Sequence, residues 1–444
     1  MANIEINITT MKKALLSAIL LLILFPICFA QKIVSGPMAG YATMLEVGLW
    51  VQLDAEANVQ IEYWKEGSTI KAQSETYSTN KNEAFTARFK VGELEPGNTY
   101  NYQVLINGKS SSSVLNFTSQ TLWQYRTDPP AFKMAIGSCT YINEERYDRP
   151  GTPYGKSYAI FDNIANMNPD VTLWLGDNIY LRETDWNSWT GYLHRYSNTR
   201  SIPEMQKLLQ TGHHYAIWDD HDFGPNDADG SWLHKDWAMK SFELFWMNPS
   251  VGVPGLDGNI SAFEFNDVDF FLLDNRYNRT PYNQKNEAPA MLGKAQIDWL
   301  IDMLKFSRSP FKMVAVGGQI INDVAIYENF AQFKEEREYL LHRIEEEGIK
   351  GVIFLTGDRH HTELSKMTLA NGVDIYDLTV SPLTSGAHDA EKEGNSFRVD
   401  GTFLATQNFA IAEVTGARKS RLMTITIYDS KGEMIWMQEL KGAY

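Results

Sequence analysis

Ile217-Trp218-Asp219-Asp220-His221-Asp222-Phe223-Gly224-Pro225-Asn226-Asp227 ends an apolar run, His214 to Trp218, in four carboxylates, an imidazole and a carboxamide. A buried strand has no use for that density of anionic oxygen, because each carboxylate taken from water must be paired or must bind a cation. Two other apolar runs end the same way, in Leu175-Gly176-Asp177-Asn178-Ile179-Tyr180 and in Leu355-Thr356-Gly357-Asp358-Arg359-His360-His361. Three such ends brought together make a polymetal site.

Working outward, Ala131–Ile136, Val171–Leu175, His214–Trp218, Phe270–Leu273, Met313–Val316 and Val352–Leu355 read as buried strands. Helical patterns lie between them, such as Gln296–Phe306 and Phe330–Glu347, the latter stopped by Gly348. The alternation predicts an α/β layered domain over 127–444, with ligands gathered at strand C-termini. Phe409–Val414, Leu422–Tyr428 and Met434–Glu439 are expected to close its sheet as a β-hairpin edge. Residues 31–126 alternate with short period and frequent turns, predicting a separate β-sandwich ahead of the Thr127-Asp128-Pro129-Pro130 linker. Its Leu94-Glu95-Pro96-Gly97-Asn98-Thr99-Tyr100-Asn101-Tyr102 resembles a turn of fibronectin type III domains.

Residues 1–30 have the form of a signal peptide starting at Met11. Met11-Lys12-Lys13 is the basic start, Ala14–Phe25 the apolar core and Cys28-Phe29-Ala30 the cleavage pattern. The core is shorter than a membrane span needs, so no transmembrane helix is expected in the mature chain. Without a twin-arginine pair, export by the general secretory route is predicted, to a periplasmic, cell-surface or extracellular location. The net charge of −15 argues against a nucleic-acid partner. An anionic substrate would need locally bound cations to overcome that field. Cys28 leaves with the leader, so Cys139 is the sole thiol of the mature chain and must be buried or ligating. It directly follows the first strand of the α/β region, which favours a ligand.

Asp177 and Tyr180 aim a carboxylate and a phenol at one centre, and a phenolate suits a trivalent ion such as Fe³⁺. Asp219, Asp220 and Asn226 offer hard oxygens for Ca²⁺, Mg²⁺ or Mn²⁺. His221 is an alternative ligand or a proton donor to a leaving oxygen. Asp358 and His360 share a face, and His361 points elsewhere. Asp222, Asp227 and Asp229 read as a solvated acidic loop. Arg182, Arg276 and Arg359 are candidate phosphate clamps, the alternative for each being a surface ion pair. Such mixed ligands describe a binuclear hydrolase, in which two ions roughly 3.5–4 Å apart hold a bridging hydroxide for in-line attack at phosphorus.

Ile-Trp-Asp-Asp-His-Asp with Pro-Asn-Asp, Leu-Gly-Asp-Asn-Ile-Tyr, Gly-Ser-Cys and Thr-Gly-Asp-Arg-His-His resemble the alkaline phosphatase D family of metallophosphatases. Leu273-Asp274-Asn275-Arg276 and the segment Leu292 to Leu300 are similar too. The resemblance implies a calcineurin-like α/β/β/α sandwich and hydrolysis of phosphate mono- or diesters, small molecules being the expected substrates. It implies iron(III) held by Cys139, Asp177, Tyr180 and Asp358, with calcium beside it in a binuclear or trinuclear site. Manganese, magnesium and zinc are the alternatives. Asp220, Asn226 and His360, with Asp219 adjacent, match positions on the calcium or phosphate side. Asp177, His221 and Arg359 are the expected catalytic groups, with Arg182, Arg276 and His361 on the substrate. Cys139 stands where related metallophosphatases have Asp-x-His, and Gly317-Gly318-Gln319 where they have Gly-His. The runner-up activity is diesterase or phospholipase-type. A different class, a non-catalytic surface binding protein on this scaffold, would require idle ligands in every motif.

Overall fold

The computed structural model describes residues 31–444, and the expected leader lies outside the described residues. A nine-stranded and a six-stranded sheet face one another. In the first, Phe132–Gly137, Val171–Leu175 and His213–Ile217 run parallel at the centre. In the second, Val268–Leu272, Phe311–Ala315, Val352–Thr356 and Asp374–Thr379 do the same. Parallel strands bury both faces, which is why they read as unbroken apolar runs. Successive side chains then enter different cores. Phe270, Leu272, Met313 and Leu355 fill the layer between the sheets, while Phe271, Val314 and Phe354 pack outward with helices Lys294–Phe306 and Lys334–Glu346. Helices Ala159–Asn166, Pro203–Leu209 and Lys235–Phe245 contribute to the large core on the side of the first sheet. The result is an α/β/β/α arrangement.

The helix expected over 330–347 is broken. Phe330–Gln332 is a 3₁₀ turn and the α-helix begins at Lys334, because Phe330 and Phe333 both turn into the outer core. Asn408–Thr415 pairs antiparallel with Phe132–Gly137, and Leu422–Asp429 and Met434–Lys441 complete that edge.

The first ninety described residues form two sheets around a core of their own. One of them is not closed off. Ile33–Ala42, Val47–Leu53 and Thr86–Val91 extend the nine-stranded sheet, through parallel pairing of Ala39 with His213. The contact is intimate: a Cβ on Gly40 would stand 2.3 Å from Met247 Cβ. The separate module read from the sequence is thus continuous in its hydrogen bonding with the larger domain.

All the strand C-termini of interest open at one place. Cys139 follows Gly137, Asp177 follows Leu175, Asp219 and Asp220 follow Ile217, Asn275 follows Leu272, and Asp358 follows Thr356.

Candidate metal centre

Sharp turns at the strand ends aim these side chains inward. Cys139, Asp177, Asp358 and His360 all sit at positive φ, between 50° and 64°. Non-glycine residues adopt that conformation at a cost, which the surrounding structure sustains at functional sites. Backbone bonds lock the turns together: Cys139 N–H donates to Gly176 O and Thr140 N–H to Asp177 O, at 3.2 and 2.7 Å.

Three groups of potential ligand atoms each lie within 4.8 Å of one another: Cys139, Asp177 and His360; Asp177, Asp220 and His221; Asp219, Asp220 and Asp358. Asp177 and Asp220 each belong to two of them, as bridging carboxylates would. A fourth group, Asp220, Asp227 and Glu328, opens toward the surface. The Tyr180 hydroxyl is 3.1 Å from Asp177 Oδ2 and 3.1 Å from His360 Nε2, joining the phenol to the first group.

The electrostatics call for cations. Burial, and then the charges of Asp220, Asp219 and Asp358, push Asp177 well above the usual carboxylate range. Burial with Asp219 and Asp220 does the same to Asp358. Burial and the charge of Asp177 also raise the Cys139 thiol and the Tyr180 phenol. Asp220 alone is depressed: burial opposes ionisation, but His221 and Arg276 outweigh it. Asp219 Oδ2, Asp220 Oδ1 and His221 Nδ1 are buried without a hydrogen-bond partner. Unpaired acceptors among repelling carboxylates are what a metal ion satisfies, so the residues present fit one. Room is left for it. At Gly317 a Cβ would lie 2.3 Å from Asp219 Oδ2.

A family model described as PhoD-like phosphatase matches residues 134–424, well over half of the chain. The chain belongs to the PhoD-like phosphatase family. Residues 30–120 match a domain of unknown function (DUF7800). Alkaline phosphatase D of Bacillus subtilis (strain 168) is 20% identical over 370 residues, 71% of this chain and 61% of that protein. The match therefore spans less than two thirds of that relative's length. The solved structure of PhoD superposes with a TM-score of 0.73 at 17% identity, over 92% of each chain. A purple acid phosphatase from yellow lupin gives 0.68 at 12% identity, over 92% of this chain and 74% of the other. At these identities the likeness concerns the fold.

Within this PhoD-like site several residues take places other than those expected. Each of the three candidate arginines is engaged by groups of the chain itself. Arg182 bonds Asp148 and the carbonyls of Tyr180 and Ile142, under the Tyr141 ring. Arg359 makes a two-pronged pair with Glu393 at 2.7 Å and reaches Gln319. Arg276 is bound to Asp219 at 2.6 Å and Glu328 at 3.0 Å, and so steers a carboxylate of the site. His361 is fully buried, with Nε2 3.8 Å from Glu363 and its ring by Phe403. Asn226 lies on the exposed turn after helix Asp220–Phe223. Asp222 is no solvated loop residue: wholly buried, it caps that helix and accepts from Asn178. Asn275, whose Nδ2 donates to Asp219 Oδ1 at 2.8 Å, and Glu328 were not singled out in the sequence as site residues. The position of Asn275 directly after an apolar strand was the available signal.

Proposed function

We propose that the chain is an exported metal-dependent phosphoesterase acting on small phosphate mono- or diesters. The observation that carries this reading is the set of buried, unpaired atoms Asp219 Oδ2, Asp220 Oδ1 and His221 Nδ1 beside Asp177 and Asp358, in a PhoD-like phosphatase. Cys139, Asp177, Tyr180 and Asp358 would hold one ion, iron(III) by the phenolate argument, and Asp219 and Asp220 a second, with calcium preferred by their hard oxygens. Bound ions would supply an acidified water and neutralise the phosphate oxygens. The remaining work falls to the chain. Arg276 and Asn275 fix Asp219 through one oxygen, leaving the other turned to the site. Burial lowers the pKa of His221, and its open Nδ1 can accept or hold a proton. Its ring lies 4.3 Å from that of Tyr180, which keeps it over the centre. No helix of the described residues is long and apolar enough to cross a membrane.

The test is metal analysis and a visible spectrum of protein prepared without chelator, followed by assays on aryl phosphate monoesters and diesters. Iron with a phenolate charge-transfer band, lost in Tyr180→Phe, together with turnover abolished by chelator, is the expected result. Protein that retains no metal and turns over neither ester would defeat the reading.

A further inference from the structure

Beyond Gly317-Gly318-Gln319 the chain makes a turn, Ile326-Tyr327-Glu328-Asn329, that its residue types do not favour. Asn329 N–H donates to Ile326 O at 3.1 Å, and both central residues are left-handed, Tyr327 at φ 43° and Glu328 at φ 57°. A turn with two left-handed centres ordinarily takes Asn-Gly, and a bulky aromatic residue there is strained. Such strain persists where the surroundings hold it, and it gathers at functional sites.

One of the two side chains has a clear role. The Glu328 carboxylate is held by Arg276 at 3.0 Å and by Arg279, and it joins Asp220 and Asp227 in the group that opens toward the surface. Tyr327 points elsewhere and is 60% exposed. Its ring stands edge-on to His388, centroids 5.5 Å apart, with the Arg359 guanidinium 5.2 Å from its own centroid. Arg359 is fixed in turn by Glu393, and His388 N–H donates to His360 O at 2.8 Å. The ring is thus fastened between two sides of the metal centre, through Glu328 on one and His388 on the other. Trp186 and Trp232, which follow the Asp177 and Asp220 turns in sequence, are instead packed against the large core.

An ester with its phosphate among Asp177, Asp220 and Asp358 must leave its alcohol portion in the opening, because core side chains fill the layer beneath. There an exposed phenol ring, backed by a guanidinium, offers an aromatic group a face or an edge to pack on. We infer that Tyr327 is a specificity-determining residue: its ring receives the aromatic leaving group of a phosphate ester, so that the opening favours aryl esters over esters of small alcohols. This rests on the phosphoesterase reading and adds to it the class of alcohol.

The experiment is calorimetric titration of metal-loaded, full-length protein with phenylphosphonate and with methylphosphonate, whose carbon–phosphorus bonds a phosphoesterase does not cleave. Phenylphosphonate is expected to bind about tenfold more tightly, the upper size for one aromatic pair. Tyr327→Ala should bring the two affinities together and Tyr327→Phe should keep them apart. Mere loosening of the turn would weaken both ligands alike and leave their ratio as it was. In turnover, Tyr327→Ala should raise KM for phenyl phosphate by the same factor. Equal affinities in the wild type, a ratio that survives Tyr327→Ala, or no binding of either phosphonate would overturn the inference. A wild type that shows the ratio yet hydrolyses neither phenyl phosphate nor diphenyl phosphate would defeat the phosphoesterase reading and leave the aromatic subsite standing. Hydrolysis with equal affinities would do the reverse.

Discussion

At the strand ends four buried aspartates, Asp177, Asp219, Asp220 and Asp358, surround a space with one guanidinium, Arg276, at its edge. Elsewhere in the same core Arg200 is buried with no carboxylate partner among the described residues. Its guanidinium is sandwiched between the indoles of Trp50 and Trp246, 4.3 and 4.4 Å from their ring centroids, and donates to Phe245 O. A cation can be satisfied by aromatic faces and carbonyls. A carboxylate offers only acceptors and finds no such partner in an apolar core. The arginine clamp, which ties the first strands to the larger domain, draws its partners from the chain itself, although Arg200 Nε is buried without one. The aspartate basin is not so supplied, and its repulsion is relieved when a cation arrives, so that binding adds to stability.

That contrast breaks most visibly at Asp358. Its ionised form is destabilised by burial, Asp219 and Asp220, so its folded pKa lies above the unfolded value. The penalty is absent in acid and grows as pH rises above the ordinary carboxylate range. Asp358→Asn is expected to lose on the order of 10³-fold in kcat/KM, while the metal-free variant unfolds at higher urea than metal-free wild type at neutral pH. A lower midpoint would mean that the basin is balanced without metal.

His214 sits between the two regimes, on the strand that leads to Asp219. Trp174 Nε1–H donates to its Nδ1 at 3.1 Å and its Nε2–H donates to Leu208 O at 3.0 Å, an arrangement only the neutral ring can make. Burial, and next the charge of Arg200, lower its pKa to about 3. With an unfolded value of about 6.5, the unfolded chain takes up the proton first. Stability is therefore lost as pH falls through the window from about 6.5 to about 3, by up to about 4 kcal/mol. Urea titrations of metal-free protein across that window should show the slope, and His214→Phe should flatten it. An equal slope in the variant would assign acid lability elsewhere.

Arg200→Ala is expected to cost about 3 kcal/mol from lost packing and cation–π contacts. Because Arg200 touches no site residue, activity per folded molecule should persist. The variant should also weaken the acid slope of His214, which loses a neighbouring positive charge. A stability unchanged within about 0.5 kcal/mol would show the indole clamp to be incidental.

How much of this was legible depends on where each residue lies relative to a strand. Cys139, Asp177, Asp219, Asp220 and Asp358 follow apolar runs, and parallel strands bring such ends together wherever the runs occur. The layered α/β domain was readable for the same reason. Arg182, Arg276 and Arg359 were not, because the carboxylates they meet, Asp148, Glu328 and Glu393, come from distant loops whose approach no local pattern encodes. Asp222 was misread because an acidic run looks solvated until a helix cap turns one member inward. The early strands looked like a module of their own because their alternation says nothing about which sheet they join.

Gly317 tests the finest point of the comparison, how the walls of the basin shape the space beside Asp219. Gly-Gly-Gln stands there in place of a Gly-His that would supply another ligand, and the sequence left open what took over. The structure answers with space: any side chain at Gly317 would press on Asp219 Oδ2, at 2.3 Å, and on Asn275 Nδ2, at 2.5 Å. Those atoms are not the loose end of a flexible chain, since Arg276 and Asn275 both hold Asp219 in place. Gly317→Ala should therefore displace the carboxylate and loosen the second ion about tenfold, read as calcium retention against a competing chelator. The iron band should remain, because Cys139, Asp177 and Tyr180 approach from other strands. If calcium is held as tightly as in wild type, Asp219 is no ligand but the counter-charge of Arg276, and the basin is smaller by one carboxylate. If iron leaves together with calcium, the two ions share Asp219, and the division of ligands between them must be redrawn.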